Sequence, residues 1–458
     1  MKVQIIRTEP KNGVFFAREA LEYGTKKQDV ERSVLNLYEE VKYQEILGFG
    51  AAVTESAAYN YALLTPEQKK RFLQLYYSSE GGIGYNFGRT HINSCDFCPD
   101  YYCYVEEGDS TLETFSIERE KKYVLPMLKD ILAFCEQELI LFASPWSPPA
   151  YMKDNESPFK GGSLKEEYKP LWARYYAKYI KAFAAEGVTI SAISVQNEPK
   201  ATQTWESCYY SADDEREFIE KHLAPVLDEE GLGHIKIIIW DHNKERVYDR
   251  ARDVFSSEFV KERVWAVGHH WYSGDHFEGP RLVHEQFGKV LISTENCGII
   301  HDDVHKLAER YGRELIGNLN SFMGAYCDWN ILLDENGGPY HNRFAKDVVV
   351  NGVTLESKSK GCYAPILYHT EQKELIVTPI YYYIGHFSKF IRRGAKRIAV
   401  TTFRWDVPAC AFENPDGSLV LVVQNSTEEE VPVNLRHQNT ITPFTLAPRS
   451  IATVILKQ

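Results

Sequence analysis

Nowhere in its 458 residues does the chain hold roughly 18 uninterrupted apolar residues, so no membrane insertion is expected. The opening stretch, MKVQIIRTEPKNGVFF, also lacks the apolar core of about seven residues that a secretion signal needs, because Arg7, Glu9 and Lys11 interrupt it. A cytoplasmic location is the expectation. Blocks of Lys and Arg are missing too: 52 basic residues against 64 acidic ones leave a net charge of −12, whereas phosphate neutralisation requires clustered cations. That excludes nucleic acid as a partner. The nine cysteines are odd in number and lie mostly in apolar or aromatic surroundings, which reads as reduced thiols and not as a disulfide framework. Cys95, Cys98 and Cys103 cluster, but a structural zinc site takes four ligands and no fourth Cys or paired His follows at a usable spacing. No metal and no cofactor are expected. Low-complexity segments and Pro-, Gly- or Ser-rich linkers are absent, so the parts of the chain should pack rigidly together.

What is present is an alternation. Short β-rich runs separated by segments of helical period begin at Glu45 (EILGFGAAVT), Ile83, Leu139, Ile190, Ile235, Val264, Lys289 and Ala325. Between them stand helix signals such as Thr65 as N-cap before Pro66, and LKEEYKPLWARYYAKYIKAFAAEG, closing on Gly187. Eight parallel units predict a closed (β/α)8 TIM barrel, placed at residues 43–380. After YYYIGHFSKFI the runs become short and alternating, with an Asn414-Pro415-Asp416-Gly417 turn, and VQII and GVFFA near the start have the same character. Residues 1–42 and 381–458 are therefore expected to form one side antiparallel β-domain, a β-sandwich built from both termini.

In a parallel barrel the C-terminal strand ends open on one face and carry the chemistry. A single polar strand tip is usually an ordinary loop residue, but all eight runs end in polar or aromatic residues, including Thr54-Glu55, Arg89, Trp146, Asp241-His242 and His269-His270. In ISAISVQNEPK the fourth run ends on Asn197 and Glu198, with Pro199 favouring an extended Glu198; the seventh ends on Glu295. Strands four and seven lie across the ring from one another, so the two glutamates can face each other, as the carboxylates of a glycosidase do. Trp146, Trp329, Trp271 and Tyr272 at the rim suit stacking on a sugar, although buried packing is the commoner use of a Trp.

GFGAAVTESAA, GIGYNFGRTHINSCDF, LILFASPWSPPAYMK, SVQNEP, HHWY, STENCG and CDWNILLDENGGP together resemble the glucosylceramidase-like glycoside hydrolases, family thirty, in order from Gly48 to Pro339. The resemblance implies a retaining β-glycosidase: Glu198 matches the acid/base and Glu295 the nucleophile. It further implies that Asn197 holds the sugar 2-hydroxyl, that Arg89, Asp96, Trp146, Tyr272 and Trp329 form the sugar pocket with Asp96 on the outer hydroxyls, and that His270 lies close to the nucleophile. Cys95 and Cys98 then serve to flank Asp96. Three stretches depart from the family pattern: Glu55 where Asp is common, YHNRF after Gly338-Pro339, and QTWESCYY after Glu198. QTWESCYY differs from the lipid-cleaving members, and with no secretion signal and no lysosomal or membrane feature in the sequence a soluble β-glucoside or oligosaccharide is expected over a ceramide aglycone.

The expected reaction is double displacement, with Glu295 attacking and Glu198 held protonated at rest by its nearness to Glu295. Asp96 favours an exo-acting β-glucosidase. The alternatives are a β-1,6-glucanase, β-xylosidase or β-fucosidase on the same site, and a silent sugar-binding protein.

Overall fold

The computed structural model describes residues 1–24, 30–341, 348–350, 353–355 and 361–457. Its strands run in chain order as β1 (Lys2–Glu9), β2 (Val14–Leu21), β3 (Val34–Glu45), β4 (Gly48–Ala52), β5 (Phe87–Ile92), β6 (Ile140–Pro145), β7 (Ala192–Ser194), β8 (Lys236–Asn243), β9 (Val264–His270), β10 (Val290–Glu295) and β11 (Met323–Asn330). There follow β12 (Leu332–Asp334), β13 (Val348–Val350), β14 (Val353–Leu355), β15 (Ile366–His369), β16 (Glu374–Val377), β17 (Lys396–Thr401), β18 (Ala409–Glu413), β19 (Leu419–Asn425), β20 (Val431–His437), β21 (Thr440–Leu446) and β22 (Ser450–Lys457).

β4 to β11 close into a parallel barrel in sequence order, and each of the eight expected runs supplies one of these strands. Its lower interior alternates large and small side chains, with Phe87, Phe142, Ile238 and Ile292 filling against Ala192, Ala266, Ala325 and Cys327. That interdigitation makes the barrel a packed core rather than a channel. Gly50 is required where β4 passes β5, since a Cβ there would sit 1.5 Å from the Phe87 carbonyl oxygen. The surrounding helices follow their sequence signals. Thr65 and Gln68 form a capping box ahead of helix Pro66–Tyr77, and helix Lys169–Ala185 buries Leu171, Trp172, Tyr175, Tyr176, Tyr179 and Phe183 on one face before Gly187 turns at φ +81°.

The remaining long strands form a nine-stranded sheet, ordered β2-β1-β22-β19-β18-β17-β3-β20-β21. Both termini meet in it, with Val3 opposite Leu456, and it is antiparallel except where β3 runs parallel to β20. The expected junctions after residues 42 and 380 fall inside β3 and inside helix Pro379–Ser388, because both elements bridge sheet and barrel. Buried His386 on that helix bonds Thr8 Oγ1 and Thr453 Oγ1 of the sheet, each at 2.8 Å. Arg393 donates to the carbonyls of Leu47, Asn86 and Glu138 on the barrel's underside. The sheet therefore braces the end of the barrel opposite the strand tips. A small sheet of β12, β15 and β16, which the sequence pattern did not announce, lies beyond β11.

Candidate active site

Three of the eight strand ends carry register irregularities that redirect their last side chains. β8 slips between Trp240 and His242, and Trp240 and Asp241 adopt φ of +72° and +49°; β10 slips between Ser293 and Glu295. A third irregularity lies between Asp328 and Asn330 on β11. An extra residue reverses the in-and-out alternation of a strand. Ile238 and Ile292 point into the barrel, so strict alternation would turn Asp241 and Glu295 outward; the slips bring both inward. The end of β7 is held differently. Asn197 N–H donates to Pro145 O and Glu198 N–H to Asp241 O, so Glu198 takes φ +46° instead of the extended conformation expected before a proline. These bonds to neighbouring strands outweigh the local preference.

Arg89, wholly buried on β5, joins these tips. Its Nε donates to Ser144 Oγ at 3.1 Å, Nη1 to Glu295 Oε2 at 2.7 Å and Thr294 O at 3.3 Å, and Nη2 to Asn197 Oδ1 at 2.8 Å and Asp241 Oδ2 at 2.9 Å. All five guanidinium donors are used. Asn197 accepts through its oxygen, which leaves its amide N–H groups to face the cavity. Asp241 also accepts from Ser144 and Ser194 at 2.9 and 2.6 Å. Burial pushes its carboxyl up, but Arg89 and His270 outweigh that and hold it well below the usual carboxylate range.

His270 sits between three carboxylates. Its Nε2 contacts Asp241 Oδ1 at 3.1 Å, and its Nδ1 lies 3.1 Å from Glu198 Oε1 and 3.9 Å from Glu295 Oε1. Glu198 and Glu295 are thus no further apart at these oxygens than the sum of the two Nδ1 contacts. Tyr272 Oη donates to Glu295 Oε1 at 2.7 Å, and Gln203 Nε2 to Glu198 Oε2 at 3.1 Å. His242 Nδ1 stands 3.5 Å from Glu198 Oε1. The expected resting protonation of Glu198 is not what this surrounding favours. Burial pushes its carboxyl up, yet the contacts of His242 and His270 pull it down further and prevail, while burial of the His270 ring is outweighed by Glu295 and Asp241, which push it up to about 9.

Above this charged floor opens a cavity of about 460 Å³, lined by both glutamates with Asp96, Trp146, Asn197, Tyr272 and Trp329 among others. Trp146 and Trp329 stack with ring centroids 5.2 Å apart, directly over Arg89. Asp96 makes no hydrogen bond among the described residues and faces the cavity; burial first, then Glu295 and Glu206, push its carboxyl well above the usual range. One expected pocket residue lies elsewhere. Arg89 is outside the cavity wall, beneath the carboxylates it holds, and His270, close to Glu295 as expected, is buried there with it. Trp271 is likewise not at the rim: it is fully buried between Tyr311 and Arg310. Glu55 is buried against Arg119 and takes no part in the cavity. Of YHNRF, Tyr340 lines the cavity and His341 pairs with Glu206 at 2.8 Å; Asn342, Arg343 and Phe344 lie outside the described residues.

Two groups among the described residues hold three metal-ligating atoms within 4.8 Å of one another. Glu198, His242 and His270 belong to the acid-histidine array above. His91 joins Cys95 and Cys98 through the fold, a meeting that linear spacing did not show, and three such ligands remain one short of a closed structural zinc site.

A profile for the glycosyl hydrolase family 30 TIM-barrel domain matches residues 46–391, and one for that family's β-sandwich domain matches residues 394–454. The chain belongs to glycosyl hydrolase family 30. As a member of family 30 it is a glycoside hydrolase with a carbohydrate substrate. It is 30% identical to the mouse lysosomal acid glucosylceramidase over 88% of this chain and 79% of that protein. Among solved structures it is similar to SrfJ from Salmonella typhimurium (TM-score 0.93, 30% identity, all of both chains). A second is the endo-β1,6-glucanase BT3312 (TM-score 0.87, 26% identity, 100% and 99% of the two chains). No helix among the described residues of this family 30 protein is long and apolar enough to cross a membrane.

Because Arg89 is buried with two carboxylates on it, Arg89→Met should leave both charges without their partner and cost about 3–5 kcal/mol of folding stability. Chemical denaturation monitored by tryptophan fluorescence reads this, and a loss below about 1 kcal/mol would show that the guanidinium does not hold the site together.

Proposed function

We propose that this family 30 enzyme is a retaining, exo-acting β-glucosidase, with Glu295 as nucleophile and Glu198 as acid/base. The observation that carries the reading is the shared His270 Nδ1, 3.1 Å from one glutamate and 3.9 Å from the other. That upper bound accommodates the separation of about 5–5.5 Å used in retention and reaches only the lower end of the range of about 6.5–9.5 Å used in inversion, which supports retention. Arg89 and Tyr272 each bond one oxygen of Glu295, which aims the carboxylate from below. Asn197 offers its amide to the 2-hydroxyl, where a bond that strengthens in the transition state lowers the barrier. The stacked tryptophans supply an apolar wall for the sugar's C–H face.

The acid is the Glu198–His270 pair. Substrate displaces water from the cavity, and the drier site favours a neutral pair over two charges. The Nδ1 proton then passes to Glu198 Oε1 and on to the leaving oxygen as Glu295 attacks the anomeric carbon; the neutral ring keeps its Nε2 proton on Asp241. In the second step Glu198 takes a proton from the attacking water and returns it to His270, while the glycosyl ester on Glu295 breaks. His270 is a positioning residue in this scheme.

Exo action rests on Asp96, whose unpartnered carboxyl suits the outer hydroxyls of a terminal glucose. A second reading, endo-β-1,6-glucanase, is favoured by the likeness to the enzyme of that name. Digestion of a linear β-1,6-glucan separates them: exo action releases glucose from the start, endo action releases oligosaccharides first.

In Glu295→Ala, turnover of an aryl β-glucoside should vanish and azide should restore it as the α-glycosyl azide, through the space left on the nucleophile's side. A β-azide would assign the nucleophile elsewhere.

His270→Gln should move the basic limb of kcat/KM to lower pH. The wild-type pair keeps its required proton until pH rises through about 9, whereas Glu198 without the imidazolium must hold it alone and loses it sooner. An unmoved limb would remove His270 from the proton path.

Asp96→Ala should lower kcat/KM for an aryl β-glucoside by roughly ten- to a hundredfold, the cost of leaving sugar hydroxyls without their partner in a largely buried site, and penalise the matching xyloside much less. Equal losses at unchanged Tm would take Asp96 off the sugar.

A further inference from the structure

Cys297 and Cys362 lie on the wall of the cavity, 65 positions apart in sequence, with Cys297 Sγ donating to Cys362 Sγ at 3.3 Å. Cys297 is half-buried and lies two positions beyond Glu295. The loops that carry the thiols are zipped together: Ile299 and Cys362 form an antiparallel bridge, Ile300 N–H donates to Gly361 O and Tyr363 N–H to Gly298 O, each at 2.8 Å. This backbone lacing holds the sulfurs face to face. Tyr272 Oη connects them to the chemistry, contacting Glu295 Oε1 at 2.7 Å and Cys297 Sγ at 3.3 Å. A second close pair, Cys95 and Cys98, has its sulfurs 3.7 Å apart, but both residues are fully buried and neither lines the cavity.

We propose that Cys297 and Cys362 are a covalent modification site: a small-molecule disulfide entering the substrate cavity converts them to an intramolecular disulfide that slows turnover. Cys362 Sγ, the acceptor in that contact, is taken as the attacking sulfur. Its thiolate attacks one sulfur of the incoming disulfide, forming a mixed disulfide and releasing one small thiolate. Cys297, having lost its proton to solvent, attacks Cys362 Sγ and releases the second. The protein loses two thiol hydrogens and two electrons, and the small disulfide is reduced to two thiols. Closing the contact to a covalent length of about 2.05 Å draws Cys297 away from Tyr272 Oη and pulls on the segment after Glu295. A displacement of about 1 Å at a reacting group can cost roughly a hundredfold, so turnover should fall ten- to a hundredfold. Only this consequence rests on the glycosidase reading above.

The test incubates the reduced full chain with glutathione disulfide, blocks remaining thiols, and reads peptides by mass spectrometry alongside hydrolysis of an aryl β-glucoside. The expected result is a Cys297–Cys362 linked peptide, turnover lowered in proportion to it, and recovery of both with dithiothreitol. Cys362→Ala, and Cys297→Ala as a second variant, should lose the linked peptide and show a ratio of oxidised to reduced activity near one. Mixed disulfides without the linked peptide, a Cys95–Cys98 link in its place, a linked enzyme with undiminished turnover, or inhibition persisting in both variants would each overturn the proposal. A reduced enzyme inert on every aryl β-glycoside would instead count against the proposed function, and the linked peptide would still decide whether the pair closes.

Discussion

A single buried guanidinium organises the mouth of this barrel. Arg89 spends all five donors on groups from four other strand ends, and two of its partners are carboxylates. Buried charges are tolerated only when paired and hydrogen-bonded, so Asp241 and Glu295 can sit together in a dry floor only because Arg89 and His270 stand between them. The same bonds fix Asn197 with its amide outward and Glu295 with one oxygen held from below. Geometry useful to catalysis and the compensation of buried charge are here one arrangement.

The rest of the fold supports that arrangement from a distance. The nine-stranded sheet and helix Pro379–Ser388 brace the underside, and the Phe and Ile side chains of the lower barrel pack as a buried layer beneath the tips. Loops complete the cavity wall, with Gln203 and Trp205 after Glu198 and Tyr340 after the Gly338–Pro339 step. Chemistry on the strand tips and a wall completed by loops is the division expected of a barrel enzyme.

Much of this was legible in the linear sequence. Eight β-rich runs spaced by helical segments specify the barrel through periodicity alone, and the polar tips identify the working face. The family motifs pointed to Glu198, Glu295 and the cavity residues Asp96, Asn197, Trp146, Tyr272 and Trp329. Less legible was the direction in which a slipped strand end points its last side chains. Asp241 lies one residue out of phase on β8, and only the irregularity after Trp240 turns it to Arg89; the sequence showed it simply as a polar tip. The conformation of Glu198 escaped for a related reason, since long-range bonds to β6 and β8 override the proline after it. The like charge of Glu295 can be inferred from chemistry, whereas the approach of His242 and His270 to Glu198, which bears on where the proton rests, exists only in three dimensions. Likewise His91 meets Cys95 and Cys98, and Cys297 meets Cys362, through folding alone.

The central claim is that Arg89 and its partners hold Glu295 as a nucleophile that becomes covalently glycosylated. Incubation with a 2-deoxy-2-fluoro-β-glucosyl fluoride, which slows release of such an intermediate, followed by peptide mapping, tests it most directly. The account predicts one added fluoroglucosyl group on the peptide containing Glu295, lost on prolonged standing with an acceptor sugar. A label on Glu198 or any other residue, or hydrolysis without a covalent adduct and with inversion at the anomeric carbon, would contradict it.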